Sequence, residues 1–73
     1  MGWSGASEIM NEIIKVIKPE ISDEKRRVKI YSHFIEIFTD QYWDTVEEPC
    51  GNDPAYDKAY KKYCKDNGYD ENN

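Results

Sequence analysis

Residues 22–38 read SDEKRRVKIYSHFIEIF, and whether this run is a helix or a strand decides the fold. Its isoleucines, valine, tyrosine and phenylalanines favour sheets. Their spacing does not: Val28, Tyr31, Phe34, Ile35 and Phe38 recur at helical intervals and line one stripe. Ser22 stands where an N-cap belongs, and Asp23 and Glu24 follow where a helix dipole favours negative charge. The spacing, the cap and the charges between the apolar positions predict a helix from Ser22 to Asp40 or a little past it. Ile30 and Ile37 lie off the stripe, a heptad apart, and widen the apolar circumference. That width predicts a central helix touched from two sides.

On the N-terminal side, Ile9, Met10, Ile13, Ile14 and Ile17 form a second helical stripe. Ser7 is the expected cap, and Pro19 is expected to stop this helix near Lys18, because the residue before proline avoids the α region. On the other side, Asp53-Pro54 opens a third helix, with the aspartate as cap and the proline at N1, where its missing N–H costs nothing. Ala55, Tyr56, Ala59, Tyr60, Tyr63 and Cys64 repeat the stripe, and Asn67-Gly68 is a stop signal. The alanines allow close helix approach, and the tyrosines can bury their rings while keeping their hydroxyls wet. Asp57 is expected to pair with Lys58 or Lys61 on the outer face. The segment from Tyr42 to Glu48 reads either as a short helix or as a turn that folds Trp43 and Val46 back onto the core. Pro49, Gly51 and Asn52 then mark a loop. The expected fold is all-α: one domain over residues 1–73, a small bundle of three main helices with a short fourth element or turn around Trp43. Residues 1–5 and 69–73 read as flexible ends.

A chain of 73 residues builds a core worth only a few kcal/mol, roughly 3–5, unless a disulfide, a metal or a partner adds to it. With 38% hydrophobic and 34% charged residues the chain reads as globular. No apolar run approaches the ~20 residues of a membrane span. The start, Met-Gly-Trp-Ser-Gly, has no basic region followed by an apolar stretch and misses the myristoylation pattern at Ala6, so a cytoplasmic chain is expected.

The net charge of -5 is carried entirely by residues 40–73, because acids and bases balance before Asp40. The same segment holds Tyr42, Trp43, Tyr56, Tyr60, Tyr63 and Tyr69. Acids mixed with rings suit a surface that docks on a basic partner. A pI near 4.7 argues against nucleic-acid binding, which needs a basic patch. The one basic cluster, Lys25-Arg26-Arg27 with Lys29, reads as a solvated helix face with local ion pairs.

Chemistry-bearing residues are few. His33 is the sole histidine, at the edge of the second stripe, and reads as a half-buried structural residue; no catalytic triad assembles by spacing. Cys50 and Cys64 read first as two separate reduced thiols. A disulfide between them would add ~3 kcal/mol on the chain-entropy model. A zinc site with His33 lacks any C-x-x-C spacing. The carboxylates Asp40, Asp44, Glu47, Glu48 and Asp53 lack the order of a calcium loop and read as a solvated acidic rim. No enzyme activity, cofactor or metal is expected.

Gly2-Trp3-Ser4-Gly5, the Ile-rich first helix, Phe38-Thr39-Asp40 and Trp43-Asp44-Thr45 with Glu48 together resemble a group of small phage and prophage proteins. Those proteins share a Gly-Trp-x-Gly start and a short acidic element after a helix. Tyr42 stands where that pattern has an acid. The resemblance touches residues 2–5 and 38–48 and implies a bacterial cytoplasm and a phage gene, but transfers no activity.

The functional expectation is a binding module that blocks or redirects a host protein with a basic surface. A defence nuclease complex such as a CRISPR effector, or a transcription component, would fit; local nucleic-acid mimicry is one route. The expected partner-binding residues are Asp40, Tyr42, Trp43, Asp44, Glu47 and Glu48. Trp43 reads equally well as a core plug. The alternative is a self-associating assembly protein, with the extra apolar residues of the second helix or the tyrosines of the last one forming a homodimer seam.

Overall fold

The computed structural model describes residues 5–68; the expectations for residues 1–4 and 69–73 lie outside that range. Three helices follow one another: α1 (Ala6–Glu20), α2 (Glu24–Asp40) and α3 (Pro54–Asp66). The described residues contain no strand, so the chain is all-α. The principal extents are 32 × 28 × 18 Å.

Each helix end has a physical cause, and several differ from the sequence reading. Gly5 rather than Ser7 caps α1, with no side-chain cap bond. Ser7 is turned inward and buried, because its hydroxyl serves a buried indole. Pro19 does not stop α1. It lies in the last turn, where only its own missing N–H is lost, and the Ile21 N–H still reaches the Ile17 carbonyl at 2.9 Å. Asp23, not Ser22, caps α2: its Oδ1 accepts the Lys25 N–H at 3.0 Å. Asp53 caps α3 through the Ala55 N–H, with Pro54 at the start and Asn67-Gly68 at the end, as the sequence predicts.

One core joins the elements. Ala6, Met10 and Ile14 come from α1, Tyr31, Ile35 and Phe38 from α2, and Ala55, Tyr56 and Ala59 from α3. Trp43 and Val46 fold back from the connecting segment into the same cluster. α2 packs chiefly on α3 and more sparingly on α1. The fully buried alanines let α2 and α3 approach closely. α1 is tied instead to the α2–α3 connection: the Lys18 ammonium donates to the Asn52 carbonyl, and the Asn52 amide donates to Asn11 Oδ1.

Two stripes are narrower than expected. Ile9 is 45% exposed and Ile37 is 56% exposed, while Ile13, Ile17, Val28 and Phe34 are half-buried against the core. The Tyr56 hydroxyl is not wet: it donates to the Val46 carbonyl at 2.7 Å inside the protein. Asp57 does not pair with Lys58 or Lys61 as expected; its Oδ1 accepts the Gly51 N–H at 2.9 Å, and Lys58 reaches Glu24 on α2 instead.

Candidate docking surface

The segment between α2 and α3 is held by a buried ionic joint at one end. Asp53 is fully buried. Its carboxylate accepts Arg27 Nε at 3.0 Å, the Tyr31 hydroxyl at 2.7 Å and the Ala55 N–H at 3.0 Å. The same guanidinium donates to the carbonyls of Ile21 and Ser22. Arg27 thus fastens the end of α1 and the start of α3 to α2. Arg27 is not the solvated helix charge of the sequence reading, and Asp53, although it is the expected cap, is no rim carboxylate. A carboxylate with this many donors stays charged in spite of its burial. Burial alone would raise its pKa; the bonds from Arg27, Ala55 and Tyr31 outweigh that and hold it low. Burial, aided by the hydrogen bond to Asp53, pushes the Tyr31 phenol up.

At the other end the chain leaves α2 through two bonds. The Trp43 N–H donates to the Phe38 carbonyl and the Tyr42 N–H to the Thr39 carbonyl, each at 3.1 Å. This is the Schellman pattern, and it puts Tyr42 at the position that glycine usually fills. Tyr42 has φ +73°, the sole non-glycine residue with positive φ among those described. The apolar contact that accompanies the motif is present: the Phe38 and Trp43 rings meet edge-on with centroids 5.5 Å apart.

Trp43 is 3% exposed. Its Nε1 donates to Ser7 Oγ at 3.1 Å and to Thr45 Oγ1 at 2.9 Å, and those two hydroxyls are themselves within hydrogen-bond reach. The ring is therefore a core plug that pins the connection to the first turn of α1, and it is withdrawn from the docking residues. Beyond it the backbone runs through tight turns, Glu48 N–H to Thr45 carbonyl and Cys50 N–H to Glu47 carbonyl, rather than a fourth helix.

The remaining expected site residues share the outside of this segment. Asp40, Tyr42, Asp44, Glu47 and Glu48 are all exposed, and Tyr42 is 78% exposed. No base stands between Asp40 and Glu48 in sequence. The result is an exposed ring on a hydrogen-bonded turn, flanked in sequence by four exposed carboxylates.

The other candidates stand apart from it. His33 is exposed rather than half-buried. Cys50 and Cys64 are free thiols, the first half-buried and the second buried. Burial, with help from Asp57 and Glu47, pushes the Cys50 thiol up to about 11, which makes it a poor nucleophile. Among the described residues no helix is long and apolar enough to cross a membrane, and no group of three histidine, cysteine or carboxylate side chains is placed to hold a metal.

The sequence signal for the strained residue was present but incomplete. A helix ending at Asp40 puts its left-handed position at residue 42, yet tyrosine there gives no warning of positive φ. No family model, curated protein or solved structure matches the chain.

Proposed function

We propose that the protein is a binding module that docks on a basic protein surface through Tyr42 and the carboxylates around it. The observation that carries this reading is Tyr42 itself: a large ring, 78% exposed, in a left-handed conformation that glycine adopts freely. Placing an L-residue there costs on the order of 1 kcal/mol, and the exposed ring returns little of it to the fold. Such strain at an exposed aromatic side chain points to use outside the fold. An aromatic anchor within a charged rim is the anatomy of an interface hot spot. Asp40, Asp44, Glu47 and Glu48 supply steering toward positive charge and discrimination against acidic partners.

The resemblance to small phage and prophage proteins supplies the setting for this proposal: a host protein, blocked or redirected when its basic surface is covered. A nucleic-acid-binding enzyme offers such a surface. The test is a comparison of the wild type with Tyr42→Ala, Glu47→Lys, Glu48→Lys in one chain. All three side chains are exposed, so helicity is expected to stay unchanged while capture of a basic partner falls at least tenfold. Equal capture by the folded variant would falsify this surface.

A further inference from the structure

Lys25, Lys29 and His33 follow one another at four-residue intervals and so stand in a row on one face of α2. Together with Lys62 of α3 they line one cavity of about 480 Å³. Like charges at this spacing weaken a helix unless acids relieve them. The nearest acids in sequence are engaged elsewhere: Asp23 caps α2, and Glu24 is bound to Lys58 of α3 at 2.9 Å. Among the described residues Lys25, Lys29 and Lys62 form no ion pair. The local pairs that the sequence suggests for this basic cluster are therefore not made. The acid in the described lining is Glu36, so three ammonium groups leave the cavity positive in a chain whose net charge is -5.

Ser32 belongs to the same wall, and its Oγ is buried without a hydrogen-bond partner. A serine inside a helix ordinarily turns its hydroxyl to solvent or back onto the carbonyl four residues earlier; this one does neither. A buried hydroxyl with no bond is a donor without a function in the fold. Unrelieved positive charge and a spare hydroxyl at one cavity are two observations with one explanation.

We propose that this cavity binds a compact oxyanion carrying two or more negative charges, of the phosphate or diphosphate type. Lys25, Lys29 and Lys62 supply the charge, and Ser32 supplies a neutral donor. Ammonium groups hold phosphate as mobile point charges, so long side chains from two helices can close around it without a preformed fork. The cavity has the size of small-ligand pockets. Its surroundings exclude an extended polyanion. Ser32, Glu36 and Lys62 also border the next cavity along α2 and α3, which carries Asp40 and Asp66. A nucleic-acid strand laid along the groove would meet those carboxylates, and binding through its phosphate backbone needs a continuous basic track. A compact anion stays clear of them. None of the residues assigned to this site belongs to the Tyr42 surface, so its failure leaves the proposed docking function untouched.

The experiment is an NMR titration of the full chain, uniformly labelled with nitrogen-15, with sodium pyrophosphate at constant ionic strength. The wild type should show saturable shifts centred on the amides of residues 25–36 and those around Lys62. Lys29→Gln, Lys62→Gln in one chain should weaken binding at least tenfold. Arg26→Gln, Lys61→Gln removes the same charge from the same two helices outside the cavity, and should weaken it no more than about twofold. Glu36→Gln should tighten it. All five side chains are exposed, so circular dichroism is expected to show unchanged helicity. Shifts that do not saturate by about 20 mM would overturn the proposal, since they would mark a diffuse ion atmosphere rather than a site. Equal losses in the two double variants would overturn it as well. So would a single-stranded oligonucleotide that binds more tightly than pyrophosphate at equal phosphate concentration, because the cavity would then serve a nucleic-acid backbone.

Discussion

Asp53 shows how one side chain can hold two jobs of which the sequence reveals one. Asp-Pro at a helix start announces the cap. The fully buried pair with Arg27 is silent, because the partner stands 26 positions away and nothing local distinguishes Arg27 from Lys25 or Arg26. Asp53→Asn keeps a capping oxygen but leaves a guanidinium without its counter-charge. Urea unfolding should show a loss of roughly 3 kcal/mol, the low end for breaking a buried pair. Tyr31→Phe removes one donor to the carboxylate and should cost about 1–2 kcal/mol. Asp53 titrates lower in the folded chain than the ordinary aspartate value of 3.8. Its stabilisation is therefore complete above that value and is lost as the pH falls below it toward the folded pKa. Asp53→Asn should flatten this part of the acid unfolding profile. Cys50 has the opposite sign: a thiol raised from 9.0 to about 11 favours the neutral form in the folded chain. That contribution is full below pH 9 and disappears as the pH rises toward 11. Near pH 8 the folded thiol therefore holds less thiolate than the unfolded one, so alkylation of Cys50 by iodoacetamide should accelerate on unfolding.

The elements themselves were legible. Spacing at Val28, Tyr31, Phe34, Ile35 and Phe38 identifies α2, and turn chemistry places α3. Boundaries were harder where tertiary contacts decide them. Ser7 looks like a cap and is instead an acceptor for Trp43, since a buried indole N–H must find a partner. Tyr42 at the end of α2 yields a contrast in two readouts. Tyr42→Gly relieves the backbone and should raise stability by about 1 kcal/mol while weakening partner capture. A residue important only to the fold would not move those two quantities in opposite directions. Trp43→Phe keeps much of the ring packing and lets Ser7 and Thr45 satisfy one another, so a loss of about 1–2 kcal/mol is expected. Trp43→Ala opens a cavity and should cost about 3–5 kcal/mol, enough to unfold much of a domain this small.

At the scale of the molecule, the acidic and aromatic half of the sequence divides in two. Tyr56 and Trp43 are inside, and Tyr60 and Tyr63 pack against the core. Tyr42 and the carboxylates Asp40, Asp44, Glu47 and Glu48 are outside. Composition foretold a surface of this kind, but could not tell an exposed ring from a buried neighbour one position on. That distinction needs the helix end, which turns residue 42 outward and residue 43 inward. Association through this charged face should weaken steeply with salt. The most direct measurement is quantitative capture from a bacterial lysate with mass spectrometry, comparing wild type with Tyr42→Ala, Glu47→Lys, Glu48→Lys. The account predicts a basic-surfaced protein held by the wild type and lost at least tenfold by a variant of equal helicity. A variant that is folded and captures the same protein to the same extent would contradict it.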